Sequence, residues 1–448
     1  MHKTSRFTRI GQVLTTSLLL TTLPAAAQPL APAPRVPMPS QSGPTPPLPR
    51  LTAGPQFTLQ QATEAMRRAH PLLAAVRADI KAAGADAVAV GLWQNPQLDA
   101  GYLHSVTPRP SVDPTLGMTS AGYTQFIESS GAPRARRHAA ELTEQAVVAD
   151  GEGTLRLLAF EVERAAVAVV AAATRVQVLK EANIELDRAN AIVTARVKAG
   201  AVPQYDATRI GLAVAQARAS LIESDASLQA ARGDLNVAIG PEAGSLPGLP
   251  AIDLYAVVTP QSAGPLLEAV KTQRPDLLAA QKRAEAASAQ VDVARKAVTP
   301  GFGLRGGVQY GNSTGEVDIL VGISLPLPVL DRGQGTISAA LARAESAGAL
   351  VNAIEVQAVQ RVRAAYDELT HRHEAFVQYR DTGAAQTQGM VSEAEAGYRA
   401  GKLSVLELVD AYVAKREGRL RIVDLAENVR QAELRLRRAV QAGTSRAD

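Results

Sequence analysis

The stretch FGLRGGVQYGNSTGEVDILVGISL, Phe302 to Leu325, breaks the helical pattern of the chain around it. Phe302, Leu304, Val308 and Tyr310 fall on one face of an extended backbone, and Arg305 and Gln309 on the other. Val317, Ile319, Val321, Ile323 and Leu325 then line up opposite Glu316, Asp318 and Ser324. An earlier stretch repeats the alternation more weakly: Leu98, Ala100 and Tyr102 against Gln97, Asp99 and Gly101, with Leu116 to Ile127 as its partner. Strands are therefore expected at about 97–106, 116–127, 302–311 and 316–326. Runs of ~10 residues with a period of two match transmembrane β-strands. They match a pair of soluble hairpins with one buried face equally well.

Outward from these strands the chain repeats itself. HPLLAAVRADIKAAGADAVAVGLWQNP, His70 to Pro96, parallels RPDLLAAQKRAEAASAQVDVARKAVTP, Arg274 to Pro300, with the two prolines at the same spacing in each. KAGAVPQYD, Lys198 to Asp206, parallels RAGKLSVLE, Arg399 to Glu407, at nearly the same offset. Two tandem units, 57–250 and 251–443, thus follow one plan. Each plan has an Ala-rich helix (about Thr58 to Gln94, and Ala263 to Val298), a hairpin, and a very long helix (roughly Pro133 to Ala199, and Thr336 to Ala400). A turn and a return helix, starting at Pro203 or Ser404, complete the unit. A run of about 65 residues at ~1.5 Å each extends ~100 Å. Gly200 and Gly401 suit the left-handed position that ends such a helix.

Of 448 residues, 46% are hydrophobic, only 4% are aromatic and none is cysteine. Disulfides, thiolate metal sites and a lipid-modified N-terminal cysteine are excluded. Residues 1–27 have the form of a signal peptide, with Lys3, Arg6 and Arg9 before an apolar run and Ala25 to Ala27 at a cleavage site. Its removal leaves 44 basic against 43 acidic residues, so the +4 of the full chain becomes about +1 and gives no argument for nucleic acid. Residues 28–56 form a Pro-rich linker, and 444–448 a short tail. No later stretch reaches the ~18 apolar residues of a membrane helix, so a membrane crossing here requires a β-barrel. Four strands cannot close one. Open edges are not tolerated in lipid, so the barrel is expected to be shared, with three copies giving twelve strands.

In this order of repeats, hairpins and tips the chain resembles the TolC-type outer-membrane factors. The segment ISLPLPVLDRGQG, Ile323 to Gly335, is most like the branch that serves cobalt-zinc-cadmium and related heavy-metal efflux. The resemblance implies a mainly α protomer that trimerises into a twelve-stranded outer-membrane β-barrel and a long periplasmic α-helical barrel. It implies a passive duct of a Gram-negative bacterium, without cofactor or catalysis. A periplasmic adaptor joins such a duct to a proton-driven inner-membrane pump, with heavy-metal cations as the expected cargo and drugs or a type I secreted protein as alternatives. Many relatives carry a lipidated N-terminal cysteine. This chain has none, so the barrel and outer-membrane lipid alone would hold it.

The resemblance also places a ring of carboxylates at the second tip, at Glu407 and Asp410, three apart on one helix face. Ser404-Val405-Leu406-Glu407 reads equally as a capping box. Tyr398, three before Gly401, matches a tyrosine of the network that holds the duct closed, or is an ordinary packed aromatic. Asp206 matches a further network position, or serves helix electrostatics. Arg209 stands where the second unit has an acid; it either pairs with a neighbouring hairpin or is solvated. Gly200 and Gly401 are the expected adaptor contacts, although capping alone would explain them.

Three apparent motifs carry no such role. Gly301 to Gly306 spells GxGxxG inside a strand pattern, which argues against nucleotide binding. His371 and His373 point apart on a helix. Arg134, Arg136, Arg137 and His138 either meet phosphate headgroups or form a solvated helix start. A rival of another class, a secreted structural coiled coil, would show sustained heptads and no alternating strands.

Overall fold

The computed structural model describes residues 48–49, 51, 54–104, 117–240, 246–257, 262–311 and 315–440. The signal peptide, most of the 28–56 linker and the 444–448 tail lie outside them. In chain order the elements are β1 (Gln56–Phe57), α1 (Leu59–Ala69), α2 (Pro71–Ala89), β2 (Gln97–His104), β3 (Gly117–Ile127), α3 (Ala132–Lys198) and α4 (Gln204–Ile239). The second unit follows with β4 (Leu249–Pro250), α5 (Ala263–Gln273), α6 (Pro275–Ala297), β5 (Phe302–Gly311), β6 (Val317–Ser324), α7 (Gln334–Gln378), α8 (Ala384–Arg399) and α9 (Val405–Val440).

Two expected helices are each divided. The helix expected over 58–94 breaks at His70, whose backbone is extended, and restarts with Pro71 in its first turn. Arg274 and Pro275 do the same between α5 and α6. A proline clashes with a helical residue before it yet suits the first helical position, so each repeat-marking proline is also a corner. The second long helix is divided as well: a π-helical turn, Tyr379–Gly383, separates α7 from α8. A side chain on Gly383 would meet the Tyr379 ring at 2.8 Å, and the Tyr379 hydroxyl reaches the Gly418 carbonyl of α9 at 3.4 Å. β6 ends at Ser324, before the expected 326, because Pro326 has no N–H for the ladder. Residues 105–106 and 116 of the first hairpin lie outside the described residues.

The four long strands form one antiparallel sheet in the order β2-β3-β5-β6. Its register aligns the alternation of every strand: Leu98 opposes Tyr123, Ala121 opposes Val308, and Val308 opposes Ile319. Val317, Ile319, Val321 and Ile323 share that face with Phe302, Leu304 and Tyr310. The other face carries Asp99, Ser120, Thr124, Arg305, Gln309 and Asp318, with Leu103, Met118, Phe126 and Leu320 as apolar exceptions. Most of the apolar face is left uncovered by the described residues: Val321 is 82% exposed, and only its foot, with Ile127 and Phe302, is half-buried. The face is therefore not buried against the described residues of its own protomer.

The helical core is built around α3, whose 67 residues run roughly 100 Å. It packs against α1, α2, α4, α6 and α9. Alanines such as Ala165, Ala166 and Ala171 let neighbouring backbones approach, while Phe376 of α7 and Ile422 of α9 fill one shared cluster. Ion pairs join α3 to α9 along their length: Glu161 to Arg438 (3.8 Å), Glu163 to Arg437 (3.1 Å), Arg175 to Asp424 and Glu427, Glu181 to Arg419, and Glu185 to Lys415 (2.8 Å). Every rung falls on the same register of two antiparallel helices. Burial pushes the Glu163 carboxyl up, against the pull of Arg437.

Candidate functional site

The two helical hairpins end in tips of the same construction. Gly200 has φ +72° and Gly401 φ +68°, the left-handed region that an L side chain rarely enters. At the first tip the Gly200 N–H donates to the Val197 carbonyl and the Ala201 N–H to the Arg196 carbonyl, both at 2.9 Å. At the second, Gly401 donates to Tyr398 (3.1 Å) and Lys402 to Gly397 (2.8 Å). The paired bonds satisfy the last carbonyls of each helix. Open space surrounds both glycines, so their backbone faces outward.

Just above the tips the two hairpins are joined. Tyr398 of α8 is buried, and its hydroxyl donates to Asp206 Oδ2 at 3.2 Å, across to the first turn of α4. Arg196, in the last turn of α3, lays its guanidinium 4.8 Å from the Tyr398 ring centre and donates to the Tyr398 carbonyl. Burial, and then the neighbouring Asp206 charge, push the Tyr398 hydroxyl up, so it stays protonated and able to donate. A second tie lies within the second hairpin: the Tyr412 hydroxyl donates to Glu395, which also pairs with Arg399 at 2.8 Å.

Sequence reasoning had reached Tyr398 and Asp206, and the structure brings them together. It had missed Arg196, whose helix-end position looks like ordinary dipole complementation. Arg209, expected in the same network, stands apart from it: the side chain is half-buried on α4 and makes no ion pair among the described residues. The cation beside Tyr398 is Arg196.

Glu407 and Asp410 both lie exposed near the start of α9. Glu407 is engaged in the capping box, accepting from the Ser404 N–H at 2.7 Å and the Ser404 hydroxyl at 2.8 Å. Those bonds, the backbone one first, hold its carboxyl below the usual glutamate value. A depressed value means that the cap is present above the ordinary glutamate range and lost as the pH falls through the depressed one. In Ser404→Ala the Glu407 titration, followed by carboxyl-carbon NMR of selectively labelled protein, is expected to move only part of the way back up, because the N–H of residue 404 remains to donate. Asp410 makes no ion pair among the described residues, so its charge is free to face whatever adjoins the tip. Gly301 to Gly306 runs from the residue before β5 through its first half and leads on along that strand, not into a helix. Among the described residues, no group of three or more acidic or histidine side chains is placed to hold a metal, and no helix is long and apolar enough to cross a membrane.

The family model for outer membrane efflux proteins matches residues 62–241 and again 266–441. The chain belongs to that family. Two stretches of this efflux protein thus match the same model, each holding a complete hairpin tip. It is 24% identical over 400 residues to the cobalt-zinc-cadmium resistance protein CzcC of Cupriavidus metallidurans, covering 86% of this chain and 90% of that one. With the nickel-cobalt-cadmium resistance protein NccC of Alcaligenes xylosoxydans xylosoxydans it shares 28% over 323 residues, 71% of this chain and 70% of the other. The crystal structure of the outer membrane protein VceC of Vibrio cholerae superposes with a TM-score of 0.71 at 20% identity, over 86% of this chain and 96% of VceC. Outer membrane efflux proteins are channels, and this chain is a channel component, not an enzyme.

Proposed function

We propose that three copies of this efflux protein close a twelve-stranded barrel in the outer membrane and continue it as a periplasmic tube of helical hairpins. The observation that carries this reading is the sheet: four strands, one apolar face left largely exposed, and β2 and β6 as its two free edges. Closing edge to edge between protomers would remove both edges and turn the apolar face toward lipid. The tube conducts passively from a periplasmic adaptor and a proton-driven inner-membrane pump to the exterior. Heavy-metal cations are the cargo, a choice supported by the names of the cobalt, zinc, cadmium and nickel resistance relatives.

In this assembly the tie of Arg196, Tyr398 and Asp206 holds the periplasmic end shut. Gly200 and Gly401 are where the adaptor approaches the backbone. Glu407 and Asp410 of three protomers place six carboxylates around the axis, and Arg209 pairs with a carboxylate of the neighbouring hairpin.

Native mass spectrometry in mild detergent is expected to give a trimer, and the trimer in planar bilayers is expected to give cation-preferring pores. A monomer that stays soluble without detergent and forms no pore would sink the proposal. Within it, Asp410→Ala is expected to raise single-channel conductance and weaken cation preference, read from the reversal potential in a salt gradient. An unchanged reversal potential would remove Asp410 from the constriction.

A further inference from the structure

The apolar alternation of β6 does not stop where its hydrogen bonds stop. Val317, Ile319, Val321 and Ile323 are followed at the same spacing by Leu325, Leu327 and Val329, beyond Ser324, the last residue paired with β5. All three are exposed, and Leu330 beside them is 91% exposed. Pro326 and Pro328 alternate with these side chains, and neither has an N–H to offer. The Val329 N–H is turned back onto the Leu327 carbonyl at 2.9 Å. The segment therefore presents continuous hydrocarbon but cannot extend a ladder with a neighbouring strand. It suits a partner that covers apolar surface without asking for hydrogen bonds.

The chemistry around it is basic. β2 and β5 start, and β3 and β6 finish, at this same end of the sheet, so the helix junctions gather there. Arg134 in the first turn of α3, Lys296 in the last turn of α6 and Arg332 just before α7 are exposed, and none makes an ion pair among the described residues. The nearby carboxylates are already engaged: Glu128 holds Arg136 by two bonds of 2.7 and 3.1 Å, and Asp331 accepts the Gly333 N–H at 2.8 Å. At the foot of β2, Trp93 is 58% exposed, an amphipathic ring of the kind enriched at membrane interfaces.

The geometry points to a phospholipid-binding collar at the foot of the sheet, where Leu325 to Leu330 and Trp93 enter the acyl boundary of the periplasmic leaflet and Arg134, Lys296 and Arg332 hold headgroup phosphates. The collar rests on the reading of the sheet as part of an outer-membrane barrel. It extends the lipid contact past the hydrogen-bonded strands and fixes the depth at which the barrel sits.

Trp93 is the only tryptophan in the chain, so the unaltered protein reports on itself. In vesicles of phosphatidylethanolamine and phosphatidylglycerol, bromines near the headgroup are expected to quench its fluorescence about twofold more than bromines at the chain ends. Leu330→Trp in a Trp93→Phe background is expected to be quenched in the same order. Quenching of Leu330→Trp by aqueous iodide alone, or by neither agent because a second copy covers the site, would overturn the collar. Val321→Trp in the same background separates the two readings. Its quenching by brominated lipid without that of the collar positions sinks the collar alone, and its failure to be quenched sinks the membrane barrel. The triple variant Arg134→Gln, Lys296→Gln, Arg332→Gln is expected to lower phosphatidylglycerol affinity on the order of a hundredfold in native mass spectra. Unchanged retention would overturn the phosphate contacts.

Discussion

Replacing Tyr398 by Phe is expected to open the channel. The substitution keeps the ring under Arg196 and removes one hydroxyl, so packing is preserved while Asp206 loses its donor. Leaving a buried acceptor without a partner costs about 1–3 kcal/mol. If three protomers open together, the closed state loses roughly 3 kcal/mol even at the lower bound, and each 1.4 kcal/mol is tenfold in the equilibrium. Open probability in planar bilayers should therefore rise on the order of a hundredfold. Asp206→Asn should act in the same direction but less, because an amide oxygen still accepts from the hydroxyl. Arg196→Ala removes the ring contact and the carbonyl bond together and should resemble Tyr398→Phe. An intact trimer with unchanged conductance in all three variants would show that the tie does not hold the end shut.

The second large effect is on assembly. Val321 sits at the middle of the exposed face of β6, and Val321→Arg would place a guanidinium against hydrocarbon. At the bilayer midplane that costs about 2–4 kcal/mol per copy, so roughly 6–12 kcal/mol over three. Such a loss is comparable to the whole stability of an ordinary domain. SDS-resistant trimers should disappear from the outer-membrane fraction. Asp318→Asn on the opposite face of the same strand should leave the trimers intact and change only ion preference. Equal tolerance of both substitutions would mean that the two faces do not differ in what they meet.

The particular residues explain which parts of this molecule were legible in advance. Alternation in β5 and β6 was readable because a strand shows one face every second residue, and the register then carried that face across all four strands. The tip glycines were readable because a positive φ nearly demands glycine. Pro71 and Pro275 were visible as markers of the repeat, but their second effect, turning one expected helix into two, follows from a local clash that periodicity does not register. The π-helical turn at Tyr379–Gly383 leaves no comparable signal, since its sequence continues the helical pattern. At the site, Tyr398 and Asp206 were reached through the family resemblance. Arg196 was not, because its contact with Tyr398 joins residues about two hundred positions apart and depends on how the hairpins lie together.

The ion-pair rungs between α3 and α9 bear on how so long a seam finds its alignment. Alanine-rich helices fit one another almost equally well at many displacements, so hydrocarbon alone would leave the pair free to creep. The rungs do not all have the same polarity: α3 contributes Glu161, Glu163, Glu181 and Glu185, but Arg175 in the middle. Sliding α9 about one and a half turns one way would set Glu181 beside Asp424 and Glu427, and the same slip the other way would bring Arg175 to Arg419. The reversed rung works as a key in a lock, admitting one displacement and repelling its neighbours on either side. By fixing where α9 lies on α3, it also fixes the level at which the second tip stands beside the first.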